Sequence, residues 1–381
     1  MDFELTPEQR EIRRVARDFA ESEIIPVAAR FDEAHEFPHE IITKLGELGF
    51  MGALFLPDYG GAGLDYVSYA LVVEELSRAD GSVGITMWAH NSLCSNHIAL
   101  FGSEAQKRRY LVPLARGDAL GAWGLTEPGS GSDAAAMKTR AVRDGDQFVL
   151  TGTKAFITNA SVGRYAVVMA VTDPQKGQKG ISAFILEKGM PGFSVGQRYR
   201  KLGLHASDTA ELVMDGVPVP EGNLLGELDR GFINSMQVLE GGRIAMAAMA
   251  VGLAQAALDA SVAYMKQRTA FGRALAEFNG LQGMIAEMAT DVEAARLLTL
   301  RAAYLKDKGL PARHAASMAK VFASEVGMRA ATRAVQLHGG AGYITEFPVE
   351  RIFRDVKLCE IGEGTSEIQR LVIAREILQL G

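Results

Sequence analysis

The composition and the apolar pattern of the sequence change near residue 121 and change back near residue 230. This change limits the possible folds of the chain more than any other feature. Between these points the chain is rich in Gly, Thr, Val and Phe, and short apolar runs alternate with turn residues. Such runs predict strands over 147–157, 165–172 and 181–187. Because no helical segment separates these strands, we expect them to pair antiparallel. The sequence thus predicts a small antiparallel β-domain or barrel within a longer chain.

Helical patterns lie on both sides of this β-region. Thr6, Pro7 and Gln9 form a helix start with an N-cap, a first-turn proline and a capping-box partner. Apolar residues at helical spacing predict helices over 7–34, 39–49, 66–79, 82–101 and 104–115, and then over 231–266, 276–308, 312–338 and 366–379. The second set is typical of an up-and-down bundle. We predict an α+β fold with an N-terminal helical domain (1–118), a central antiparallel β-domain (119–226) and a C-terminal four-helix bundle (227–381).

Composition excludes several classes of protein. The 381 residues carry a formal net charge of -6 without a basic block, which argues against a nucleic-acid partner. Cys94 and Cys359 are the only cysteines, so neither a zinc site nor a disulfide framework is expected, and a cytoplasmic location is predicted. The acidic start, Met1–Glu4, does not resemble a signal peptide. No uncharged apolar run reaches the ~18 residues of a membrane span.

Several common cofactor and catalytic motifs are missing. The glycine-rich segments 60–63 and 339–342 do not fit G-x-G-x-x-G, and no P-loop occurs. The segment 129–132 lacks the G-x-S-x-G elbow, and the histidines show no metal-ligand spacing such as H-E-x-x-H. Hydrolase, metalloenzyme and NAD-dependent dehydrogenase functions are therefore disfavoured. Any nucleotide cofactor must be bound without a Rossmann domain.

The strongest candidate for a catalytic residue is Glu363, which lies between Gly362 and Gly364 ahead of a predicted helix. Glycines have no Cβ, so a substrate or cofactor can approach the backbone closely here. Ser366 and Gln369 fit a capping box, which predicts that the helix begins two or three residues after Glu363. A carboxylate on such an open turn can act as a general base. Considered alone, the stretch also fits a surface glutamate in a glycine turn.

Two further segments indicate a polar ligand. Residues 123–133 form a strand end that runs into a Gly/Ser turn dense in amides and hydroxyls, which suits hydrogen bonds to a heterocycle or a phosphate. Residues 152–159 end a second strand with an aromatic ring, Phe156, and a hydroxyl, Thr158. Each segment alone is equally compatible with an ordinary turn.

Together with the segments 268–272, 336–343 and 361–370, these stretches resemble the acyl-CoA dehydrogenase family. They occur in the family's order and spacing, and the resemblance covers essentially the whole chain. It implies the same helix–sheet–helix fold, with FAD bound between the β-domain and the C-terminal bundle and closed over by a neighbouring subunit. It also implies a homotetramer, a dimer of dimers, that passes electrons to electron-transferring flavoprotein. The implied role is in fatty-acid metabolism, as in β-oxidation.

The resemblance implies a reaction and the residues that perform it. Glu363 would remove a proton from the carbon α to the thioester carbonyl while a hydride leaves the β carbon for flavin N5, giving the trans-2-enoyl-CoA. The backbone amide of Glu363 and a ribityl hydroxyl would stabilise the enolate oxygen. FAD contacts are implied for Leu125, Thr126, Ser132, Phe156, Thr158, Arg268, Phe271, Gln336, Gly339, Gly340, Thr365 and Glu367. Contacts with the acyl-CoA substrate are implied for Ser132, Glu240, Arg243 and Gly364.

Four positions refine this resemblance. Some family branches place the base immediately before Arg243, but the residue there is Gly242, which favours Glu363. Gly362 stands where several members have tyrosine, so a wider pocket is expected beside the base. The segment 241–244 resembles the short-chain and short-branched branches, and a short, medium or α-branched acyl-CoA is therefore expected. Arg243 alone also fits a solvated charge on a helix surface. Burial would raise the pKa of Glu363 and the nearby helix start would lower it. Two other interpretations stay open: an oxygen-using acyl-CoA or nitroalkane oxidase, and a non-catalytic flavin-binding scaffold.

Overall fold

The computed structural model describes residues 4–379, so Met1–Phe3, most of the segment that we interpret as unlike a signal peptide, lie outside the described residues. The N-terminal region is helical, with α1 (Pro7–Phe19), α2 (Ile25–Ala34), α3 (His39–Glu47), α4 (Tyr66–Ala79), α5 (Gly81–Ala89), α6 (Asn96–Phe101), α7 (Glu104–Gln106) and α8 (Val112–Ala115). π-helical turns at Ala20–Ile24, His90–Ser95 and Lys107–Leu111 join α1 to α2, α5 to α6 and α7 to α8. The helices predicted in this region are therefore confirmed.

The first helix begins as its sequence predicts. The Thr6 hydroxyl accepts the Gln9 N–H at 3.2 Å, and the Gln9 side chain accepts the Thr6 N–H at 3.0 Å. Arg13 and Arg17 of this helix pair with the buried carboxylate of Glu75 in α4, each at 2.7 Å. Because an unpaired buried carboxylate is costly, these two pairs fix α1 in one position across α4.

The central region forms one sheet. Its strands are β1 (Gly121–Gly124), β2 (Arg140–Asp144), β3 (Gln147–Thr158), β4 (Tyr165–Val171), β5 (Ile181–Glu187), β6 (Phe193–Arg198), β7 (Thr209–Pro220) and β8 (Leu224–Leu225). They are ordered β6-β7-β3-β2-β4-β5-β8, and β1 also pairs with β4. The three predicted strands are confirmed as β3, β4 and β5. A short ribbon, β9 (Thr269–Ala270) with β10 (Arg273–Ala274), follows later in the chain.

Pairing in this sheet is antiparallel, as predicted, except at two places. β1 runs parallel to β4, and Arg140 of β2 forms a parallel bridge with Val171. The prediction gave β1 only as a strand end within 123–133, and it lacked β2, β6, β7 and β8. β2 buries only Ala141, and β6 buries none of its residues fully. Neither strand therefore carries the alternating apolar pattern on which such a prediction depends.

The C-terminal region consists of α9 (Gly231–Gln267), α10 (Asn279–Asp307), α11 (Arg313–His338), α12 (Val349–Ile361) and α13 (Ser366–Ile377). The four predicted helices are confirmed as α9, α10, α11 and α13, whereas α12 is additional. α9 and α11 pack along each other, and α10 and α12 each pack against both. The fourth helix of the bundle is therefore α12, and α13 packs on the outside of α11.

α9 is the longest helix and lies at the centre of the molecule. Among residues 4–379 it is the one helix that is long and apolar enough to cross a membrane, and 72% of its most apolar window is buried inside the fold. α4 and α11 pack against it, and Met246 and Met249 on this helix are fully enclosed. One continuous core thus joins the N-terminal and C-terminal helices. The domain boundaries at 118/119 and 226/227 stay a prediction.

Candidate active site

Glu363 lies on the short loop between α12 and α13, in an unusual backbone conformation. Its φ is +58°, which is left-handed and unfavourable for a residue with a side chain, and Gly364 follows at +85°. α13 then begins, with Thr365 as its N-cap: the Thr365 hydroxyl accepts the Ile368 N–H at 3.3 Å. Glu367 is exposed in the first turn. The predicted position of the helix start is confirmed.

The predicted capping box of Ser366 and Gln369 is wrong. Because Thr365 is the N-cap, Ser366 lies inside the first turn, where it is buried. The Gln369 side chain instead reaches back and donates to the carbonyl oxygens of Glu363 at 2.9 Å and Gly364 at 3.1 Å. Two adjacent hydroxyl residues can each begin a helix, and the sequence pattern favoured the second of them. Gln369 therefore fixes the loop rather than the helix end.

A second buried side chain holds the same loop from the opposite side. Lys320 of α11 is fully buried, and its Nζ donates to the Gly364 carbonyl at 2.7 Å. This carbonyl thus has two protein donors, Lys320 and Gln369. A substrate contact of Gly364 would be left to its Cα and N–H. The loop is fixed between α11 and α13.

Glu363 is half-buried as a residue, and the Oε2 of its carboxylate is enclosed. Its Oε2 has no hydrogen-bond partner among the described residues. Burial raises the pKa of Glu363 to about 7, and Arg243 and Lys320 act in the opposite direction. Burial thus outweighs both cations and the pKa is raised, whereas the sequence left open whether burial or the nearby helix start would set the direction. A carboxyl group that titrates near neutral pH is suited to general base chemistry.

Glycines provide the space that this carboxylate occupies. A Cβ on Gly242 of α9 would lie 2.3 Å from the Glu363 Oε2 and 3.1 Å from the Leu93 side chain. A Cβ on Gly362 would lie 2.9 Å from the terminal methyl of Met246. α9 therefore approaches the loop so closely that no side chain fits at position 242. This geometry favours Glu363, rather than a residue of α9, as the base.

Arg243 and Glu240 lie beside the loop on α9. Arg243 is only 6% exposed, so the alternative of a solvated charge on a helix surface is wrong. Its Nη1 lies 3.5 Å from the Ser317 hydroxyl, and its Nε has no partner in the part of the chain that the structure describes. Burial lowers the pKa of Arg243. Glu240 pairs with Lys306 at 3.1 Å, so a contact with CoA would have to share this pair.

On the β-domain, a buried ion pair fixes the strand end that carries Leu125 and Thr126. The Lys154 Nζ of β3 donates to the Leu125 carbonyl at 3.2 Å and to the Glu127 carboxylate at 2.7 Å. Glu127 also accepts two backbone N–H groups, from residues 138–139. Burial lowers the pKa of Lys154 to about 8, so the pair is charged at neutral pH. The backbone at Leu125 is therefore held rigidly against β3.

Phe156 and Thr158 lie at the end of β3. Phe156 is 62% exposed, has a φ of +59° and interrupts the pairing of β3 with β7 as a bulge. The bulge turns the ring out of the sheet, where it stacks on Tyr199 with the ring centroids 4.8 Å apart. Thr158 is half-buried, and Ser132 is exposed in the Gly/Ser turn. This part of the β-domain presents an aromatic ring and hydroxyls to its surroundings.

The other residues implied to bind FAD lie at the far end of the bundle. Arg268 directly follows α9, and Phe271 is 96% exposed with a φ of +52°. The C-terminal end of α11 lies nearby, because His338 stacks on Tyr264 of α9. It presents three exposed residues, Gln336, Gly339 and Gly340. At about 1.5 Å per residue, Arg268 is roughly 40 Å from Gly242 along α9. One chain therefore does not bring the two groups together.

The α5–α6 segment links the Glu363 loop to the β-domain. Leu93, which faces Gly242, lies on the π-helical turn of this segment. His97, one turn further along, accepts the indole N–H of Trp123 at 3.0 Å. Trp123 lies on β1, two residues before Leu125. The same segment thus contacts both α9 beside the base and the strand end of the β-domain.

Family models match three consecutive parts of the chain. They describe the N-terminal domain, the middle domain and the C-terminal domain of acyl-CoA dehydrogenase, and they match residues 6–118, 122–217 and 229–378. The chain belongs to the acyl-CoA dehydrogenase family. The resemblance inferred from the sequence is confirmed, and so is the enzyme class: the protein is an oxidoreductase of this family.

Relatives of this chain match over the full length. The short-chain specific acyl-CoA dehydrogenase of Clostridium acetobutylicum is 50% identical over 379 residues, which are 100% of each chain. Butyryl-CoA dehydrogenase of Megasphaera elsdenii has a TM-score of 0.98 and 46% identity, covering 99% of this chain and 100% of that chain. A chain in a solved structure of the electron transferring flavoprotein of Acidaminococcus fermentans has a TM-score of 0.98 and 49% identity, covering 100% of each chain. These matches confirm the predicted fold class.

Four residues of this site were missed or misassigned from the sequence. Lys154, Tyr199 and Lys320 received no role, and Gln369 was assigned to a helix cap. A signal exists for the two lysines, because each interrupts an otherwise apolar or small-residue pattern on a buried element. Lysine is almost never fully buried unless it is paired. A lysine at such a position therefore predicts a specific partner, although not which one.

Proposed function

We propose that this chain catalyses the FAD-dependent α,β-dehydrogenation of an acyl-CoA thioester to the trans-2-enoyl-CoA. The observation that carries the proposal is the Glu363 carboxylate, whose Oε2 is buried without a partner in residues 4–379 and whose pKa is about 7. An unbonded carboxylate oxygen with a raised pKa, on a residue with left-handed backbone, is unfavourable in a purely structural role. Membership of the family and the full-length relatives support the same reaction.

In this proposal Glu363 takes the proton from the carbon α to the thioester carbonyl. Gly242 leaves room for its Oε2, and Arg243 and Lys320 favour its ionised form. In the turn around Glu363, the Gly362 N–H donates to the Leu358 carbonyl oxygen at 2.8 Å. The backbone N–H of Glu363 has no backbone acceptor within residues 4–379, so it is free to donate to the thioester oxygen of the substrate. Such a donor stabilises the charge that develops there as the proton leaves.

FAD, which supplies the hydride acceptor when bound, fits the exposed surface of the β-domain. A large exposed ring on a left-handed backbone, as at Phe156, is unfavourable unless something covers it. Beside it lie hydroxyls and the rigid backbone at Leu125, which offer aromatic contact and hydrogen bonds to a heterocycle. The flavin end would be held by Leu125, Thr126, Ser132, Phe156, Thr158, Thr365 and Glu367. The far end of a neighbouring subunit's FAD would be held by Arg268, Phe271, Gln336, Gly339 and Gly340.

We propose that the substrate is a short acyl-CoA, within the short, medium or α-branched range expected from the sequence. Position 362 has no side chain, but the Met246 methyl reaches to the backbone there and fills the space. The pocket is therefore not widened beside the base. The names of the Clostridium acetobutylicum and Megasphaera elsdenii relatives support a short chain. Arg243, Glu240, Ser132 and the Gly364 backbone are the proposed contacts with the CoA thioester.

Anaerobic mixing of the FAD-loaded protein with acyl-CoAs of increasing length tests this function through loss of the flavin's visible absorbance. We expect the fastest bleaching with short chains. Glu363→Gln should remain yellow and folded but bleach slower by about 10²- to 10⁴-fold. Glu47→Gln, the same change at an exposed position of α3, is the control and should match the unmodified protein.

Three results would contradict the proposal. Rapid bleaching of Glu363→Gln would remove Glu363 from its role as base. A yellow protein that no acyl-CoA bleaches would support the non-catalytic scaffold. Oxygen consumption that matches turnover in air would support the oxidase alternative.

The proposed electron acceptor is electron-transferring flavoprotein, which the match to a chain from the structure of such a flavoprotein supports. Arg268 lies too far from its own Glu363 loop to serve the same flavin end, which supports at least a dimer. The homotetramer, as a dimer of dimers, is proposed from membership of the family. A cytoplasmic location and a role in fatty-acid β-oxidation belong to the same proposal. The free thiols of Cys94 and Cys359 support the location. Light scattering during gel filtration tests the oligomeric state.

A further inference from the structure

Lys320 is a buried cation that the proposed reaction does not require. It lies on α11 with no exposed surface, and its one hydrogen bond with the loop goes to the Gly364 carbonyl at 2.7 Å. A neutral donor would satisfy that carbonyl equally well, and Gln369 already does so at 3.1 Å. Burial of an ammonium group costs free energy unless its charge is compensated. The presence of a lysine here therefore points to a role for its charge.

The charges that face Lys320 come from several elements. Burial lowers the pKa of Lys320 to about 8, so most of these side chains are protonated at neutral pH. Its neighbours are Arg243 of α9, Cys359 and Glu360 of α12, Glu363 of the loop and Glu367 of α13. Arg243 in turn faces Arg313 and Glu240. Of these groups, Glu363 is the carboxylate on the loop that Lys320 holds.

Neither buried cation is bonded to the Glu363 Oε2, which has no partner in the described chain. A direct ion pair would favour the ionised base but would also engage the carboxylate that must receive the proton. A cation held at a distance, with its N–H groups turned to a carbonyl, favours ionisation and leaves the carboxylate unbonded. Lys320 has this arrangement, because its Nζ is directed to Gly364.

We propose that Lys320 is a positioning residue for Glu363, which fixes the loop through the Gly364 carbonyl and favours the ionised base by its charge without bonding to it. This inference rests on the proposed function of Glu363 as the base. Gln369 performs only the first task, because it donates to the same loop without a charge. Substitution of Gln369 therefore affects only the position of the loop, whereas substitution of Lys320 affects both the position of the loop and the charge near Glu363.

The test compares the pH dependence of anaerobic flavin reduction in variants of the holoenzyme. Lys320→Gln keeps a donor and removes the charge, so we expect the acidic limb of the profile to move up by about one pH unit. Below that limb the rate should fall about tenfold, with little change in the KM for acyl-CoA. Lys320→Arg should return the acidic limb to its position in the unmodified protein. Gln369→Met should slow reduction at every pH without moving it. Arg329→Met removes an exposed cation from the same helix and should change nothing.

A limb that stays in place in Lys320→Gln, or a slowing that is equal at all pH values, would overturn the proposal. If Lys320→Gln does not fold, the same limb is measured in Lys320→Met. A titration that needs no turnover separates this inference from the function on which it rests. The infrared band of the protonated Glu363 carboxyl, identified by its loss in Glu363→Gln, should titrate at higher pH in Lys320→Gln. If no acyl-CoA bleaches the unmodified protein but this band shifts, the proposed function fails and the charge coupling stands.

Discussion

A carboxylate that takes a proton from carbon has to be basic enough and must not already be engaged by protein donors. Glu363 meets the first condition through burial, which raises its pKa to about 7. It meets the second because Lys320 and Gln369 bond to the backbone of its loop and leave its Oε2 unbonded within residues 4–379. Gly242 then sets the distance between this oxygen and α9. The position of the base thus depends on Lys320, Gln369 and Gly242, none of which takes part in the proton transfer.

Gly242→Ala tests this dependence at the level of one methyl group. The added Cβ would lie 2.3 Å from the Glu363 Oε2, so the carboxylate must move. A displacement of about 1 Å can lower the rate by about 10²-fold, and we expect kcat to fall by that order while the FAD content is unchanged. Gly241→Ala is the matched control, because its nearest neighbour would be the Tyr66 hydroxyl at 3.4 Å, an ordinary contact. Equal activity of the two variants would show that α9 does not constrain the base.

At the scale of elements, the β-domain carries an ion pair whose loss should affect both stability and cofactor binding. Lys154→Met leaves Glu127 buried beside two backbone donors without its cation. We expect the free energy of unfolding to fall by about 3–5 kcal/mol and FAD to bind more weakly, because the Leu125 carbonyl loses its donor. Urea unfolding and FAD titration measure the two effects.

Lys179→Met is the control for this prediction. It removes a lysine from an exposed position of the loop between β4 and β5, and it should change the free energy of unfolding by no more than about 0.5 kcal/mol. If the double variant Lys154→Met with Glu127→Gln were no more stable than Lys154→Met alone, the unpaired carboxylate would not be the cause of the loss.

The elements differ in how far the sequence predicts them. Helices such as α9 and α11 and strands such as β4 are predicted correctly, because each buries a long apolar face. β6 and α12 are not: β6 is largely exposed, whereas α12 carries buried apolar residues at helical spacing, Val349, Ile352, Val356 and Cys359, which the prediction overlooked. The chemistry of the site is recognisable from short motifs around Glu363. Lys320 and Gln369 are not, because their role depends on which carbonyl they meet in the fold.

At the scale of the whole molecule, Asp355 of α12 joins parts of all three regions. Its carboxylate accepts the Leu204 N–H at 2.5 Å and lies beside Gly81 at the start of α5. Asp80, the N-cap of α5, is a second buried carboxylate nearby. Burial, together with the like charge of Asp80, raises the pKa of Asp355 to about 8. These contacts of Asp355 with the other two regions form a junction, which is therefore most favourable when Asp355 carries a proton.

This junction predicts how stability depends on pH. The pKa of Asp355 is higher in the folded protein than in the unfolded chain, so the folded state holds the extra proton. The contribution of this proton to the free energy of unfolding is complete below about pH 4 and is lost as the pH rises through about 8. We expect the melting temperature of the holoenzyme to fall between about pH 6 and about pH 9, and to fall less in Asp355→Asn.

Differential scanning calorimetry at one scan rate makes this comparison. Asp144→Asn, on the exposed part of β2, is the matched control and should leave the slope unchanged. A slope that is the same in Asp355→Asn as in the unmodified protein would show that the junction carries no proton across this range.

The backbone and the charge of Glu363 have a consequence for engineering. A left-handed φ and an ionised, unbonded carboxylate each lower the stability of the fold. Asn or Gly at this position would relax the backbone, and Gln would remove the buried charge. A library screened for heat resistance alone would therefore enrich replacements at position 363 and yield better-folded proteins that no longer turn over substrate. Position 363 is where the two goals of a directed-evolution campaign diverge, so each round needs a selection for activity.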